Sequence, residues 1–309
     1  MLALVVRRLI AAVPTVLAIV AAAFVLMHMA PGGPFTKERQ MPPAIEQRLL
    51  AEYKLDLPVQ EQLLHYLGGL ARGDLGPSMA YKDKDVSEII AEGAPMSAVL
   101  GLSAMVLALL VGGALGVAAA LNQNRLQDYV VMTAAILGVC LPPLVMGPMM
   151  QALFGVQLHW LPTGGLYRDE FRLQYLVLPV LTLSLPLIAI ISRLMRASMI
   201  EAMRSASIRT ARAKGLPELQ VVLRHALPTA LLPIVSFVGP ALATVLAGSF
   251  VIETVFQLPG IGRQFVLAAQ QRDYTMVLGV VLVYSFLIIL LNLGADLIYR
   301  VLDPRSRTL

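Results

Sequence analysis

The stretch IRTARAKGLPELQVVLRHALP, residues 208–228, sets Arg209, Arg212, Lys214, Arg224 and His225 around Gly215 and Pro217, between two long apolar runs. No nucleophile–base motif is spaced with these basic side chains to suggest bond-making chemistry. They attract anionic surface, either the headgroups beside a membrane span or a partner protein, and charge alone leaves both readings open. Bond-making chemistry has little else to work with. There is no His-Glu-x-x-His, no Gly-x-Ser-x-Gly and no paired carboxylates, and His28, His65, His159 and His225 are too dispersed for metal-ligand spacing. A Gly-x-x-x-x-Gly-Lys-Ser/Thr loop is also missing, so the chain does not hydrolyse ATP through a P-loop. The sequence therefore reads as non-catalytic.

The elements that carry this cluster are apolar helices. The chain is 58% hydrophobic and 14% charged, against about 25% charged in soluble domains, and its mean hydropathy is +0.75. Residues 9–30 form a 22-residue run without an acidic or strongly basic side chain; at about 1.5 Å per residue it crosses a bilayer core of about 30 Å. Similar runs follow at about 95–121, 129–154, 174–192, 229–252 and 276–295, which makes six predicted spans in an all-α integral membrane protein. Arg7 and Arg8 precede the first run as in a signal peptide, but the run exceeds the usual apolar core of about 7 to 15 residues and is expected to stay as a span. The single cysteine, Cys140, excludes a disulfide framework.

Basic residues orient the spans. With the N-terminus inside, the cytoplasmic segments hold thirteen Lys and Arg, among them Arg125, Arg193, Arg196, Arg204 and Arg300, while the short outer loops hold Arg168, Arg172, Arg263 and Arg272. Both termini are thus expected in the cytoplasm. The net charge of +5 serves orientation beside lipid and does not point to nucleic acid, since no stacking aromatics are interleaved with the cations. The organisation follows: a tail and first span over 1–30, an extracytoplasmic helical segment over 31–93, and a five-helix core over 94–309 with a cytoplasmic loop over 193–228.

In the outer segment, helices are predicted over about 44–53 and 59–70 on either side of Pro58, and GDLGPS, Gly73 to Ser78, reads as a turn cluster. Asp74, Asp83, Asp85, Glu88 and Glu92 make it acidic; a solvated cap and a docking surface or gate are equally compatible with that pattern.

Within the membrane, the second to fifth runs contain no Asp, Glu, Lys or Arg, and Asp296 at the edge of the sixth is spaced to pair with Arg300. Proton-coupled carriers need such groups facing a cavity, so a proton-driven mechanism is disfavoured. Prolines 142, 143, 148, 179, 186, 228, 233 and 240 point instead to a path through the bundle, with Pro179 and Pro228 at span ends. Gly112 and Gly116 form a small-xxx-small pair suited to close helix packing. A helix over about 201–214, with Lys214 in its last turn, Gly215 as a left-handed cap and Pro217 as a stop, followed by a shorter helix to Leu227-Pro228, makes the basic loop a built element.

Its spacing carries a resemblance. Gly215, nine residues, His225, one residue and Leu227-Pro228 resemble the cytoplasmic loop of bacterial ABC importer permeases, Glu-Ala-Ala, three residues, Gly, nine residues, Ile, one residue, Leu-Pro; Arg209, Thr210 and Ala211 stand at the Glu-Ala-Ala positions. RTARAKG with RHALP is similar to the peptide and nickel branch, as are RRLIAAVPT, APGGPF, GPFTKER, GDLGPS, YKDKDV, VIETVFQLPGIG, RDY at 272–274 and the terminal DP at Asp303. The membrane subunits of oligopeptide permeases are the nearest resemblance.

The resemblance implies a channel-forming subunit of an ATP-driven importer in the bacterial inner membrane. Its implied partners are a second homologous permease subunit, two P-loop ATPases carrying ATP and Mg, and an extracytoplasmic binding protein that delivers peptide; the chain itself takes no cofactor. It implies ATPase coupling through Glu201, Arg204, Arg209, Thr210, Ala211, Arg212, Ala213, Lys214, Gly215, Leu216 and Pro217. Glu253, Arg263 and Asp273 fall on the implied binding-protein or gate side, where a plain turn after a span is the simpler reading of Gly260 and Gly262. A permease for dipeptides, nickel or another small solute, and a membrane assembly or signalling protein without transport, are the alternatives.

Overall fold

The computed structural model describes residues 2–29, 43–165 and 173–302. Arg168, Arg172, the 30–42 motifs and the terminal segment from Asp303 lie outside the described residues. Among the described residues the regular structure is helical, with one isolated bridge between Pro77 and Asp85. The chain divides into two compact units, Met1–Met96 with Pro259–Ile289 and Ser97–Leu258 with Leu290–Leu309.

Among the described residues, five helices are long and apolar enough to cross a membrane: Val5–Met29, Val86–Leu121, Gln174–Met203, Glu218–Val255 and Tyr274–Ile298. The expected continuous span over 129–154 is absent. In its place Leu126–Cys140 (α5) and Pro143–Met150 (α6), extended by a π-helical turn to Gln157, meet at a 102° bend. The reason is local. A residue before proline is pushed out of the helical region, and here two in succession obey: Leu141 lies at φ −90°, ψ 114° and Pro142 at φ −62°, ψ 141°. Pro143 then sits in the first turn of the next helix, where its missing N–H costs nothing.

In the unit built from Met1–Met96 and Pro259–Ile289, α1 (Leu2–Met29), α2 (Pro43–Glu52) and α3 (Val59–Leu70) match the predicted positions closely. Helix α4 (Val86–Leu121) starts nine residues before its expected apolar run because Val86, Ile89 and Ile90 form an apolar face at helical spacing. That face packs with Ile261 and Ala268 of α12 (Ile261–Gln271) and with Met276 and Val280 of α13 (Tyr274–Leu302).

In the other unit, α7 (Gln174–Met203) is the hub. It outruns its expected end at 192 because Met195, Met199 and Ala202 continue its buried face. Gly112 and Gly116 of α4 lie against it so closely that a Cβ on Gly116 would stand 2.6 Å from both the Met195 Cβ and the Ser192 carbonyl oxygen. The small-xxx-small pair is thus a backbone-to-backbone crossing. Beyond α7 come α8 (Ala206–Ala213), α9 (Glu218–Gln220), a π-helical turn over Val221–Ala226, α10 (Leu227–Gly248) and α11 (Phe250–Val255). The widened turn immediately precedes Pro228: Leu227 N–H bonds back to the Val222 carbonyl, and the extra residue relieves the proline ring of its clash with the preceding turn.

Candidate functional site

The basic cluster is positioned by α7, α8 and the turn between α8 and α9. The expected single helix over 201–214 is two elements: Glu201 ends α7, Arg204 closes it, and Ser205 turns extended at φ −66°, ψ 156° before α8 begins. Serine favours such a break because its hydroxyl competes for local hydrogen bonds, and Ser205 and Ser207 hydroxyls lie 2.9 Å apart here. At the far end Gly215 takes φ +76°; its N–H donates to the Arg212 carbonyl at 2.9 Å and Leu216 N–H donates to the Ala211 carbonyl at 3.4 Å. This is a Schellman closure, and Leu216 folds back onto the same apolar cluster as Ala211. Pro217 stops the helix, and its carbonyl accepts from Gln220 N–H at 2.9 Å to start α9.

Helix α8 therefore has two faces. Ile208 and Ala211 are buried against Met199, Ala202, Val221 and Val222, so Ala211 holds the helix down and offers nothing to a partner. Arg209, Thr210, Arg212, Ala213 and Lys214 are exposed. Arg209 and Lys214 have no ion-pair partner among the described residues, whereas Arg212 is held: its Nε donates to Glu218 Oε2 at 3.1 Å and its Nη2 to Oε1 at 2.5 Å. The hydrogen bond to that carboxylate raises the Arg212 guanidinium above its ordinary value, so it stays charged. Arg204 reaches Gln123 at 3.4 Å, and the two line a cleft of about 480 Å³ floored by Met203, Leu219 and Val222. Glu201, Gly215 and Pro217 are exposed, as are Arg224 and His225.

Glu218 was not among the predicted residues; a basic and an acidic residue flanking a Gly-Leu-Pro turn is the signal that reveals it. A second pair also escapes the sequence. Asp128, in the first turn of α5 and 3% exposed, receives Arg196 Nε at 2.5 Å on Oδ1 and Nη2 at 2.6 Å on Oδ2. It stands one residue before the predicted third span, where a hydropathy scan passes over it.

Of the residues expected on the binding-protein or gate side, Glu253 and Asp273 are buried. Glu253 is fully buried and accepts from the Ser249 hydroxyl at 2.7 Å. Asp273 is fully buried as the cap of α13: Oδ1 accepts from Met276 N–H and Thr275 Oγ1 at 3.0 Å, while Oδ2 accepts from Ser78 Oγ at 2.5 Å and Ala80 N–H at 3.1 Å. Both carboxylates are taken up by hydrogen bonds within their own units. Arg263, half-buried on α12, is the one of the three with exposed surface. The RDY motif is thereby explained as a helix junction, in which Arg272 ends α12 in the left-handed conformation at φ 59° and Asp273 starts α13.

The outer segment is likewise fastened. Gln62 donates through Nε2 to the Leu55 and Leu57 carbonyls at 3.1 and 2.8 Å, and its Oε1 lies 3.0 Å from His28 Nε2, tying α3 to the end of α1. A cavity of about 180 Å³ beside this tie is lined by Phe24, Tyr53, Tyr66 and Tyr274. Burial pushes the Tyr66 phenol up to about 12.

Known proteins resemble the sequence along nearly its whole length. The chain is 46% identical over 307 residues to the oligopeptide transport system permease protein OppB of Escherichia coli (strain K12), covering 99% of this chain and 100% of that protein. It is 38% identical to the dipeptide transport system permease protein DppB of Bacillus subtilis (strain 168), over 98% of this chain and 97% of that one. The crystal structure of an amino acid ABC transporter with histidines shares the fold, with a TM-score of 0.55 at 16% identity, over 69% of this chain and 94% of the solved one. The family described as binding-protein-dependent transport system inner membrane component matches residues 112–308. With that match taking in α7, the two-faced α8 and its Gly215 turn, the chain belongs to the family of inner membrane components of binding-protein-dependent transport systems.

Proposed function

We propose that this chain is the channel-forming subunit of an ATP-driven, binding-protein-dependent oligopeptide importer of the bacterial inner membrane. The full-length likeness to an oligopeptide permease carries the reading. Both termini and α8 face the cytoplasm, and the 31–93 segment lies outside. Two P-loop ATPases, which hold ATP and Mg, grip the exposed face of α8 through Arg209 and Lys214, with Arg212 oriented by Glu218. Because ATP contacts only those subunits, coupling has to pass through an element with two positions that biases the bundle. The buried face of α8, packed on α7, supplies that element. A second homologous permease subunit completes the path, and an extracytoplasmic binding protein delivers peptide to its mouth.

The test is reconstitution in proteoliposomes with these partners. ATP-dependent accumulation of a labelled oligopeptide that needs the binding protein is the expected result; no accumulation, or accumulation indifferent to ATP, rejects the reading. The likeness to a dipeptide permease favours dipeptides as the second reading. Competition by unlabelled dipeptide, oligopeptide and nickel separates these substrates.

A further inference from the structure

Helix α5 is seated on α7. Only Asp128 and Ala135 are buried, while Leu126, Tyr129, Val130, Ile136, Leu137 and Val139 are exposed. Its contact with α7 includes the Asp128–Arg196 pair at one end and Gly138 toward the other, where a Cβ would meet Ala189 Cβ at 3.4 Å. Apolar contact of that kind is non-directional and allows sliding. A two-pronged guanidinium–carboxylate fork fixes both distance and orientation. The Asp128 carboxylate is held further by Asn124 N–H at 2.9 Å, and Asn124 takes φ 62° to deliver it.

Arg196 is three residues before Met199, which packs in the same cluster as Ile208 of α8. The fork thus grips α7 about one turn from the place where α8 rests on it. At its other end α5 runs into the elbow at Leu141–Pro143, and beyond it α6 is seated on α11, with a Cβ on Gly147 meeting Val255 at 3.1 Å and Phe256 at 3.4 Å.

We propose that Asp128 and Arg196 are positioning residues that make α5 follow α7, so that displacement of α8 reaches the elbow as a defined movement. The proposal rests on the transporter reading above and adds to it a stated route. In this proposal both residues act through α5.

The readout is solute imported per ATP hydrolysed by the complete reconstituted importer, because a merely structural contribution lowers import and hydrolysis together and leaves their ratio alone. Asp128→Asn is expected to lower the ratio by about fivefold or more, the low end of common coupling effects. Arg196→Lys keeps the charge but loses the fork, and is expected to lower the ratio in the same direction by less; it serves as the deciding variant if Asp128→Asn does not assemble. The double exchange Asp128→Arg with Arg196→Asp is expected to recover part of the ratio. A wild-type ratio in the assembled single variants, or no recovery in the exchange, overturns the pair's role. Failure of the unaltered complex to import with ATP counts against the transporter reading instead.

Discussion

The Arg212 guanidinium and the Glu218 carboxylate clasp each other across the Gly215 turn, with both prongs of the fork engaged at 3.1 and 2.5 Å. The clasp lies on the surface, so its effect is to aim Arg212 and offset its charge, leaving Arg209 and Lys214 as the uncompensated cations of the exposed face. On the proposed function, charge reversal at Arg209 and Lys214 together should abolish co-purification with the proposed ATPase partners at physiological salt. Glu218→Gln should leave co-purification intact and make it more salt-sensitive, as a released guanidinium joins the contact. Unchanged ATPase capture by the double reversal removes α8 from the interface.

Gly215 has no neighbour within 4 Å of where a Cβ would stand, so substitution there meets only backbone strain at φ +76°. Gly215→Ala should cost about 1–2 kcal/mol, and Gly215→Asn less. Gly215→Pro is incompatible with the φ value and also deletes the N–H that closes the turn on Arg212; it should abolish uptake while leaving the spans folded. Circular dichroism alongside an uptake assay separates the two effects.

The crossing of α4 on α7 offers an internal control. Gly116→Ala drives a methyl into Met195 and the Ser192 carbonyl and should destabilise by about 1–3 kcal/mol. Gly113→Ala, whose Cβ would stand 3.9 Å from Met195 Cε, should be neutral or should stabilise by up to about 1 kcal/mol. Thermal unfolding in detergent compares them, and equal effects would show that the crossing is looser than described.

Asp273 caps α13 and fastens the 78–80 turn at once. Asp273→Ala should cost about 1–2 kcal/mol from the cap alone, and should open the 71–85 segment to proteolysis before the rest of the unit. Simultaneous cleavage elsewhere would mean that the carboxylate is not the local fastening.

Tyr66 provides a pH test. Its hydroxyl is buried without a hydrogen-bond partner among the described residues, and its phenol is pushed up from 10.0 to about 12. In the unfolded chain the phenol ionises first, so this group's contribution is intact below pH 10 and falls away as pH rises toward 12. Tyr66→Phe should remove that alkaline loss, and at neutral pH should be neutral or stabilising, because the removed group satisfied nothing. A destabilised Tyr66→Phe protein would reveal a partner for the hydroxyl.

Much of this fold is legible in the residues. Continuous apolar runs locate five spans, Pro58 separates α2 from α3, and the glycine at 215 foretells its own left-handed turn because few other residues accept one. The third run misleads because hydropathy records composition, whereas the Pro142-Pro143 break is a matter of backbone conformation inside an unbroken apolar stretch. Glu201 to Lys214 reads as one helix because its residues favour helix on average; the break at Arg204–Ser205 follows from packing α8 back onto α7. Glu253 and Asp273 look like rim charges until their burial is known, and burial is a property of the assembled unit. Asp128 and Arg196 stand 68 positions apart, and no local pattern joins them.

The elbow at Leu141–Pro143 has a bearing on the bilayer itself. The 15 residues of α5 rise about 22 Å, short of the roughly 30 Å of a hydrocarbon core. Pro142 and Pro143 bring no N–H to the Gly138 and Val139 carbonyls. Lipid cannot supply the missing donors, whereas water or a neighbouring protein chain can. Acyl chains must therefore be kept away from the elbow wherever it lies at membrane depth, and Cys140, exposed there and the chain's single cysteine, is a native marker of that stretch.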